Sequence, residues 1–421
     1  MSWTYLNGKK IGIWGMGREG QSAKSVLMKH TQRSTLIEIS EENKSDIFSC
    51  DVLIKSPGVS LYRPEIQEAL KKHILITSGT NLFFENKDPK TFVIAVTGTK
   101  GKSTTSSLLA HTLKTLGKSV NLGGNIGEPL INFVDQKTDF LVAELSSYQC
   151  ADLNGHPNIG VITNLYPEHL QWHGTHEQYY QDKLHLINQS EQMILNGDDQ
   201  RLKKYLSDGE NTSFNTPESI HIQGEYFYDG HIPLFPLSKL NLLGIHNAEN
   251  ACAVLTVIKL LDLPLLKCAH AFQSFHPLPH RLQILGTKAG LTYVDDSIST
   301  TPETAIAALK ALDKGQNITL IAGGFDRGQD YTELIRFMAK YKNRFRLVTL
   351  PDTGKRLSEL SQKAGIETSL TSEMPTAVNI AEHITPPHGI ILLSPAAPSY
   401  NLYQNFEERG NDFKHWAGFK D

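Results

Sequence analysis

The sequence predicts an α/β protein of three domains, and three observations carry that prediction. Strand-like apolar runs alternate with helix-like stretches along most of the chain, glycine-rich turns follow two of those runs, and two polar breaks divide the whole. The runs are Ile11-Gly12-Ile13-Trp14, Leu36-Ile37-Glu38-Ile39, Val52-Leu53-Ile54, residues 92–96, Phe140-Leu141-Val142-Ala143, Gly160-Val161-Ile162-Thr163, residues 318–322 and Ile390-Ile391-Leu392-Leu393. Such an order builds parallel sheets, whose ligands gather beyond the C-terminal ends of the strands. The breaks are Glu85-Asn86-Lys87-Asp88-Pro89-Lys90 and the Pro-rich His276-Pro277-Leu278-Pro279-His280, so the expected domains are residues 1–90, 91–279 and 280–421. At 421 residues the chain exceeds the roughly 250–300 at which a single core stops growing.

Composition trims the functional field. The formal charge of −3 offers no basic excess for nucleic acid, and no apolar run approaches the roughly 18 residues of a membrane span. Residues 1–10 lack the apolar core of a signal peptide. The four cysteines, Cys50, Cys150, Cys252 and Cys268, are widely spaced and form neither a zinc motif nor a disulfide framework. A cytoplasmic protein with reduced thiols is the expectation.

The first domain opens with Gly15-Met16-Gly17-Arg18-Glu19-Gly20 after a strand, and Glu38 ends the next strand. That turn holds a diphosphate with Glu38 on a ribose hydroxyl, and it suits a nucleotide sugar as well as a dinucleotide. Ser56-Pro57-Gly58 adds a second polar turn on the same edge. In the second domain the run 92–96 leads into Gly98-Thr99-Lys100-Gly101-Lys102-Ser103-Thr104-Thr105 and then a helix. Glycines there turn backbone N–H groups onto a phosphate chain, Lys102 supplies a cation, and Ser103 can hold Mg²⁺. The ligand this predicts is a nucleoside triphosphate. Val96 replaces the first glycine of the longer pattern, which makes the loop the short variant.

Two further edges point to the same loop. Glu144 ends the run 140–143, beside the phosphate-loop strand, where a hard oxygen suits the triphosphate's Mg²⁺. His169 follows the run 160–163 to the same edge; His173 and His176 mimic a zinc cluster with it, but Gly174 interrupts their helix and no fourth ligand is evident. Lys183, read alone, is a lysine on the solvated face of an amphipathic helix.

These motifs, with Glu144-Leu145-Ser146-Ser147-Tyr148-Gln149, Asn164 with His169, Leu243-Gly244-Ile245-His246-Asn247-Ala248-Glu249-Asn250, Leu278-Pro279-His280-Arg281, Asp296-Ser297 and Ser394-Pro395-Ala396-Ala397-Pro398-Ser399, occur in the order of the Mur ligases of peptidoglycan synthesis. The chain resembles that family from Gly15 to Phe406, and most of all its glutamate-adding members. The resemblance implies a Rossmann-like first domain that binds the UDP substrate, a P-loop ATPase-like second domain, and a Rossmann-like third domain that closes over ATP and carries the amino acid. It implies a monomeric ligase that joins glutamate to UDP-N-acetylmuramoyl-L-alanine through an acyl phosphate.

Site roles follow from the same resemblance. Gly98, Thr99, Lys100, Gly101, Lys102, Ser103 and Thr104 cradle ATP; Asn247, Asn250, Arg281 and Asp296 complete its site. Ser103 and Glu144 hold one Mg²⁺, and His169 with a carbamylated Lys183 places a second. Gly17, Arg18, Glu38, Asn125, Ser146 and Gln149 face the nucleotide substrate. Thr300, Arg327, Ser399 and Phe406 face glutamate. One departure concerns the acceptor: the family's Asp-Ser-Lys segment is Asp296-Ser297-Ile298-Ser299-Thr300-Thr301-Pro302 here, so a cation is replaced by Ile298. Commonness favours D-glutamate, while a subfamily using L-glutamate, followed by an epimerase, carries a similar segment. Folylpolyglutamate synthase shares the loop and the lysine but lacks a comparable first domain, and a non-catalytic nucleotide-binding module would show no ATP turnover.

Overall fold

The computed structural model describes residues 3–166, 168, 170–206, 211–400 and 402–420. Its chain divides into two compact units, Met1–Leu240 with His246–Phe275, and Asn241–Ile245 with His276–Asp421. The first unit contains two sheets. One is wholly parallel, in the order β2-β1-β3-β4, from β1 (Lys10–Trp14), β2 (Thr35–Ile39), β3 (Val52–Lys55) and β4 (Leu75–Thr77).

The other runs β13-β12-β11-β10-β9-β8-β5-β7-β6, with β5 (Phe92–Thr97), β6 (Val120–Gly124), β7 (Phe140–Glu144), β8 (Ile159–Ile162), β9 (Gln192–Asn196), β10 (Thr212–Phe214), β11 (Ile220–Gln223), β12 (Tyr226–Asp229) and β13 (Ile232–Pro236). Its strands are parallel from β6 to β11, and β12 and β13 add an antiparallel edge. Short, half-exposed and carrying Pro233 and Pro236, that edge has no strong apolar pattern to read in the sequence.

The second unit is a six-stranded sheet, β14-β15-β19-β16-β17-β18, from β14 (Gln283–Lys288), β15 (Leu291–Asp295), β16 (Ile318–Gly324), β17 (Phe345–Asp352), β18 (Thr368–Leu370) and β19 (Ile390–Leu393); only β14 is antiparallel. Each sheet thus falls inside one predicted span. The polar break at 85–90 closes the helix Gly79–Asn86, whose Leu82 and Phe83 are buried in a core that also takes Ile11 and Ile13 from the first sheet and Val93, Ala95 and Leu141 from the second. Two sheets therefore share one apolar interior.

Candidate active site

β5 lies between β7 and β8, and its C-terminal end feeds the phosphate loop directly into the helix Lys102–Thr115. Packing dictates the two glycines. Gly98 has φ +146°, and a Cβ there would stand 1.9 Å from Thr163 Oγ1; Gly101 has φ +82°, and a Cβ would stand 2.4 Å from Asn250 Oδ1. The residues after β8 lace the loop down. Thr163 Oγ1 and Asn164 Nδ2 donate to the Lys100 carbonyl at 2.6 and 3.0 Å, while Asn164 Oδ1 accepts from Lys100 N at 2.8 Å. Thr99 Oγ1 accepts from Tyr166 N and pairs with Tyr179 OH, both at 2.8 Å. Lys102 Nζ donates to the carbonyls of Gly98 and Thr99 at 3.0 Å, so its ammonium lies over a helix N-terminus that already attracts anions. Ser103 and Thr104, the next residues, are nearly buried.

Glu144 ends β7 in register with Val96 of β5 and is wholly buried. Its Oε1 accepts from Asn125 Nδ2 at 2.7 Å, and its Oε2 has no partner among the described residues. A buried carboxylate oxygen left unmet is costly unless something binds it, and it is a hard donor of the kind Mg²⁺ takes. With the Ser103 hydroxyl on the loop, the residues fit a magnesium ion. His169 lies outside the described residues. His173 is spoken for by protein groups, bonding Asp182 through Nδ1 and Ser147 through Nε2, which accounts for it without zinc.

Lys183 overturns the solvated-face reading. On the helix His176–Gln189 it is 1% exposed, with Nζ donating to the Gly98 carbonyl at 2.9 Å. Burial first, and the neighbouring Lys102 charge second, hold its ammonium down to about 7.

Of the candidates for the nucleotide substrate, Asn125 bonds Glu144 and Arg18 reaches Asn125. Gly17, whose α-hydrogens face open space, caps the helix Arg18–His30; Arg18 Nη2 donates to the Asn125 carbonyl at 3.3 Å. Ser146 and Gln149 form a capping box on the helix Ser147–Ala151, and Gln149 Nε2 reaches Glu19 Oε1 and Thr80 Oγ1 at 3.4 Å. Burial pushes the Glu19 carboxyl up to about 7. Glu38 is not brought to this group: it is exposed and ion-paired with Lys24 Nζ at 2.6 Å. Asn250 meets the loop at Gly101, and Asn247 Oδ1 accepts from Asn250 Nδ2 at the 3.5 Å limit.

In the second unit three loops leave the C-terminal ends of β15, β16 and β19. Asp296 is buried with both oxygens engaged: Oδ1 accepts from Leu282 N at 3.1 Å, and Oδ2 from Ser299 Oγ at 2.5 Å and Ser394 Oγ at 2.8 Å. Burial raises it to about 6 against those hydrogen bonds, and the side chain ties the loops together. Ile298 and Thr300 are half-buried, and the Thr300 carbonyl accepts from Gln329 Nε2 at 3.0 Å. Arg327 is exposed, its guanidinium 5.5 Å from the Tyr400 ring centre. Ser399 is buried, Arg281 half-buried, and the Phe406 carbonyl accepts from Ser297 Oγ at 2.8 Å.

Sequence reasoning missed Arg409. It looks like one more charge on the helix Phe406–Trp416, yet it is 1% exposed; Nε donates to Ser297 Oγ at 3.1 Å, Nη2 to the Ser297 carbonyl at 2.8 Å and Nη1 to the Ala397 carbonyl at 3.0 Å.

Comparison with known proteins decides what this arrangement is. The Mur ligase middle domain matches residues 96–258, and the Mur ligase glutamate ligase domain matches 280–397. The UDP-N-acetylmuramoyl-L-alanine–L-glutamate ligase of Salinispora tropica is 36% identical over 97% of both chains. This chain belongs to the Mur ligase family. The enzyme of the same description from Xanthomonas campestris is also 36% identical, over 99% of this chain and 96% of its own. Among solved structures, the Mur ligases MurC and MurF of Thermotoga maritima, the latter in complex with ADP, superpose with TM-scores of 0.62 and 0.61 at 19% and 16% identity; they cover 97% and 98% of this chain and 98% and 96% of their own, and they share the fold. Mur ligases form amide bonds at the expense of ATP, so this chain is an ATP-dependent ligase. Among the described residues of this Mur ligase no helix is long and apolar enough to cross a membrane.

Proposed function

We propose that this Mur ligase joins L-glutamate to the alanine carboxylate of UDP-N-acetylmuramoyl-L-alanine in peptidoglycan synthesis, with residues 1–90 holding the nucleotide, 91–279 ATP and 280–421 the amino acid. Ile298 carries the choice of enantiomer: an apolar residue stands at the segment where the common pattern has a cation, and full-length relatives at 36% identity are named for L-glutamate. D-glutamate, the commoner acceptor, is the competing outcome.

A carboxylate is a poor electrophile, so the alanine oxygen first attacks the γ-phosphorus and ADP departs with the bridging oxygen. The glutamate amine then attacks the acyl carbon, loses a proton, and phosphate leaves from the tetrahedral intermediate. Lys102 balances charge on the transferred group, and the loop amides hold the phosphates still. Ser103 and Glu144 would hold Mg²⁺, which supplies neutralising charge. Lys183 supports a carbamate because CO₂ adds only to a neutral amine, and burial provides one near pH 7. The carbamate would turn a buried cation into a hard anion suited to a second Mg²⁺ beside His169.

The test offers purified protein ATP, Mg²⁺, UDP-N-acetylmuramoyl-L-alanine and each glutamate enantiomer separately, and measures ADP release. Tenfold or greater preference for L-glutamate is expected from roughly 1.4 kcal/mol of discrimination. Preference for D-glutamate overturns the acceptor, and no release with either overturns the substrate.

A further inference from the structure

A hydrogen-bond chain, buried at Ser147, His173 and Asp182 and reaching the surface at Tyr62, crosses the seam between the two sheets of the first unit, and none of the ligase steps draws on it. Asp182, next to Lys183, accepts through Oδ1 from Tyr62 OH at 2.5 Å and Gln178 Nε2 at 2.9 Å, and through Oδ2 from His173 Nδ1 at 2.5 Å. His173 Nε2 faces Ser147 Oγ at 3.0 Å. Tyr62 OH donates to Asp182, and His173 bridges Asp182 and Ser147 through its two ring nitrogens. Ser147, His173 and Asp182 have the connectivity of a hydrolytic triad. With exposures of 3, 3 and 5%, however, no acyl substrate reaches the serine, so the arrangement holds position instead of attacking.

What it positions is set by its neighbours. Ser147 opens the helix that Ser146 caps, three residues after Glu144, while Asp182 precedes Lys183. Tyr62 stands in the loop after β3, which is pinned twice more: Trp172 Nε1 donates to the Pro57 carbonyl at 3.0 Å, and Ser60 Oγ donates to the Trp172 carbonyl at 2.8 Å. The Trp172 ring also stacks on Tyr148 at 4.6 Å.

We propose that Trp172 and His173 bolt the loop after β3 to the middle of the helix carrying Lys183 and to the start of the helix that Ser146 caps, and that Tyr62, His173 and Ser147 are positioning residues that hold the nucleotide substrate's carboxylate in line with the phosphate loop. The inference rests on the reading that the first sheet binds that nucleotide and that Lys183 serves the phosphates. Both ends of the chain can be removed gently. Tyr62→Phe and Ser147→Ala each delete one hydroxyl, at opposite ends of the hydrogen-bonded path through Asp182 and His173, and leave the Trp172 ring contacts in place.

The experiment is a double-variant cycle on the full-length ligase. Each single variant should lower kcat about 5- to 30-fold, the effect of an ill-held reactant, with KM for ATP within about twofold. The pair should lose no more than about threefold beyond the worse single variant, because both deletions interrupt the same hydrogen-bonded path while the Trp172 contacts stay in place. Unfolding midpoints accompany each assay. Losses that multiply, or midpoints that fall while kcat holds, overturn the proposal. Lys183→Ala separates the two readings: an active Lys183→Ala removes the role given to Lys183, whereas an inactive one combined with multiplying losses removes the bolt alone.

Discussion

Lys183 and Arg409 are both basic, both on helices and both 1% exposed, yet they meet opposite fates. Lys183 has one carbonyl at 2.9 Å and a second cation for company, and its proton is loosened to about 7. Arg409 is lowered by burial only to about 10, with each of its three nitrogens donating to an oxygen of Ser297 or Ala397. Burial lowers both from different ordinary values, 10.5 and 12.5; Lys102 pushes Lys183 down further, whereas Tyr403 and Asp295 hold Arg409 up, and Lys183 has beyond its carbonyl only Thr97 Oγ1 at 3.5 Å. The poorly satisfied one is chemically available, and the satisfied one is a strut.

The largest effect should come from Lys183→Ala, with kcat down roughly 10²–10³-fold, as for loss of a preorganised charge. Acetate should partly restore this variant by supplying the oxygens of a carbamate, and Lys183→Arg should not respond. Turnover close to wild type in a folded Lys183→Ala would erase the contrast with Arg409. On the strut side, Arg409→Ala leaves the Ser297 and Ala397 carbonyls without their donor and should destabilise the protein by about 2–5 kcal/mol in denaturant unfolding, with Arg409→Lys intermediate because its ammonium lacks the planar fork. A loss under about 0.5 kcal/mol, the size of an ordinary surface change, would remove the strut.

A pH series sharpens the same point. Folded Lys183 near 7 lies below its ordinary value of 10.5, so between these limits the unfolded chain binds the extra proton. The cost to folding is then complete below about pH 7 and fades as pH rises toward 10.5. In CO₂-free buffer, wild-type stability minus that of Lys183→Met should climb with pH across this window, by up to about 1.4 kcal/mol per unit. A flat or falling difference contradicts the loosened proton. The smallest effect is expected at an exposed cation: Lys24→Ala, which removes the ion pair to Glu38, should change stability by about 1 kcal/mol at most and leave KM for the nucleotide within about twofold.

The legible parts of the site were those whose chemistry is local. Gly98, Gly101, Lys102 and Ser103 announce a phosphate cradle within six residues, and Glu144 follows from sheet order, because a carboxylate ending the neighbouring strand must arrive at that edge. Lys183 was legible only through family resemblance: Tyr179 and Leu186 share its buried face, but a lysine at such a position ordinarily carries its ammonium out to solvent. Arg409 left no signal, and His173 only a spacing that mimics a zinc cluster. Their partners lie on other elements, Ser297 and Ala397 for one and Ser147 and Asp182 for the other, so only tertiary packing brings the acceptors to them. Glu38 shows the converse: the glycine pattern assigned it a ligand, while the structure gives it Lys24.

The interior common to the first two sheets bears on how such a protein can be recombined. Leu82 and Phe83 are buried in a cluster to which both sheets contribute, so a graft of residues 1–90 alone from another homologue would import the plug without its socket. The natural seam for building chimeras lies between Phe275 and His276, with Asn241–Ile245 matched to the second unit, and exchange of residues 1–90 should succeed only when the core positions contributed by β5 and β7 travel with them.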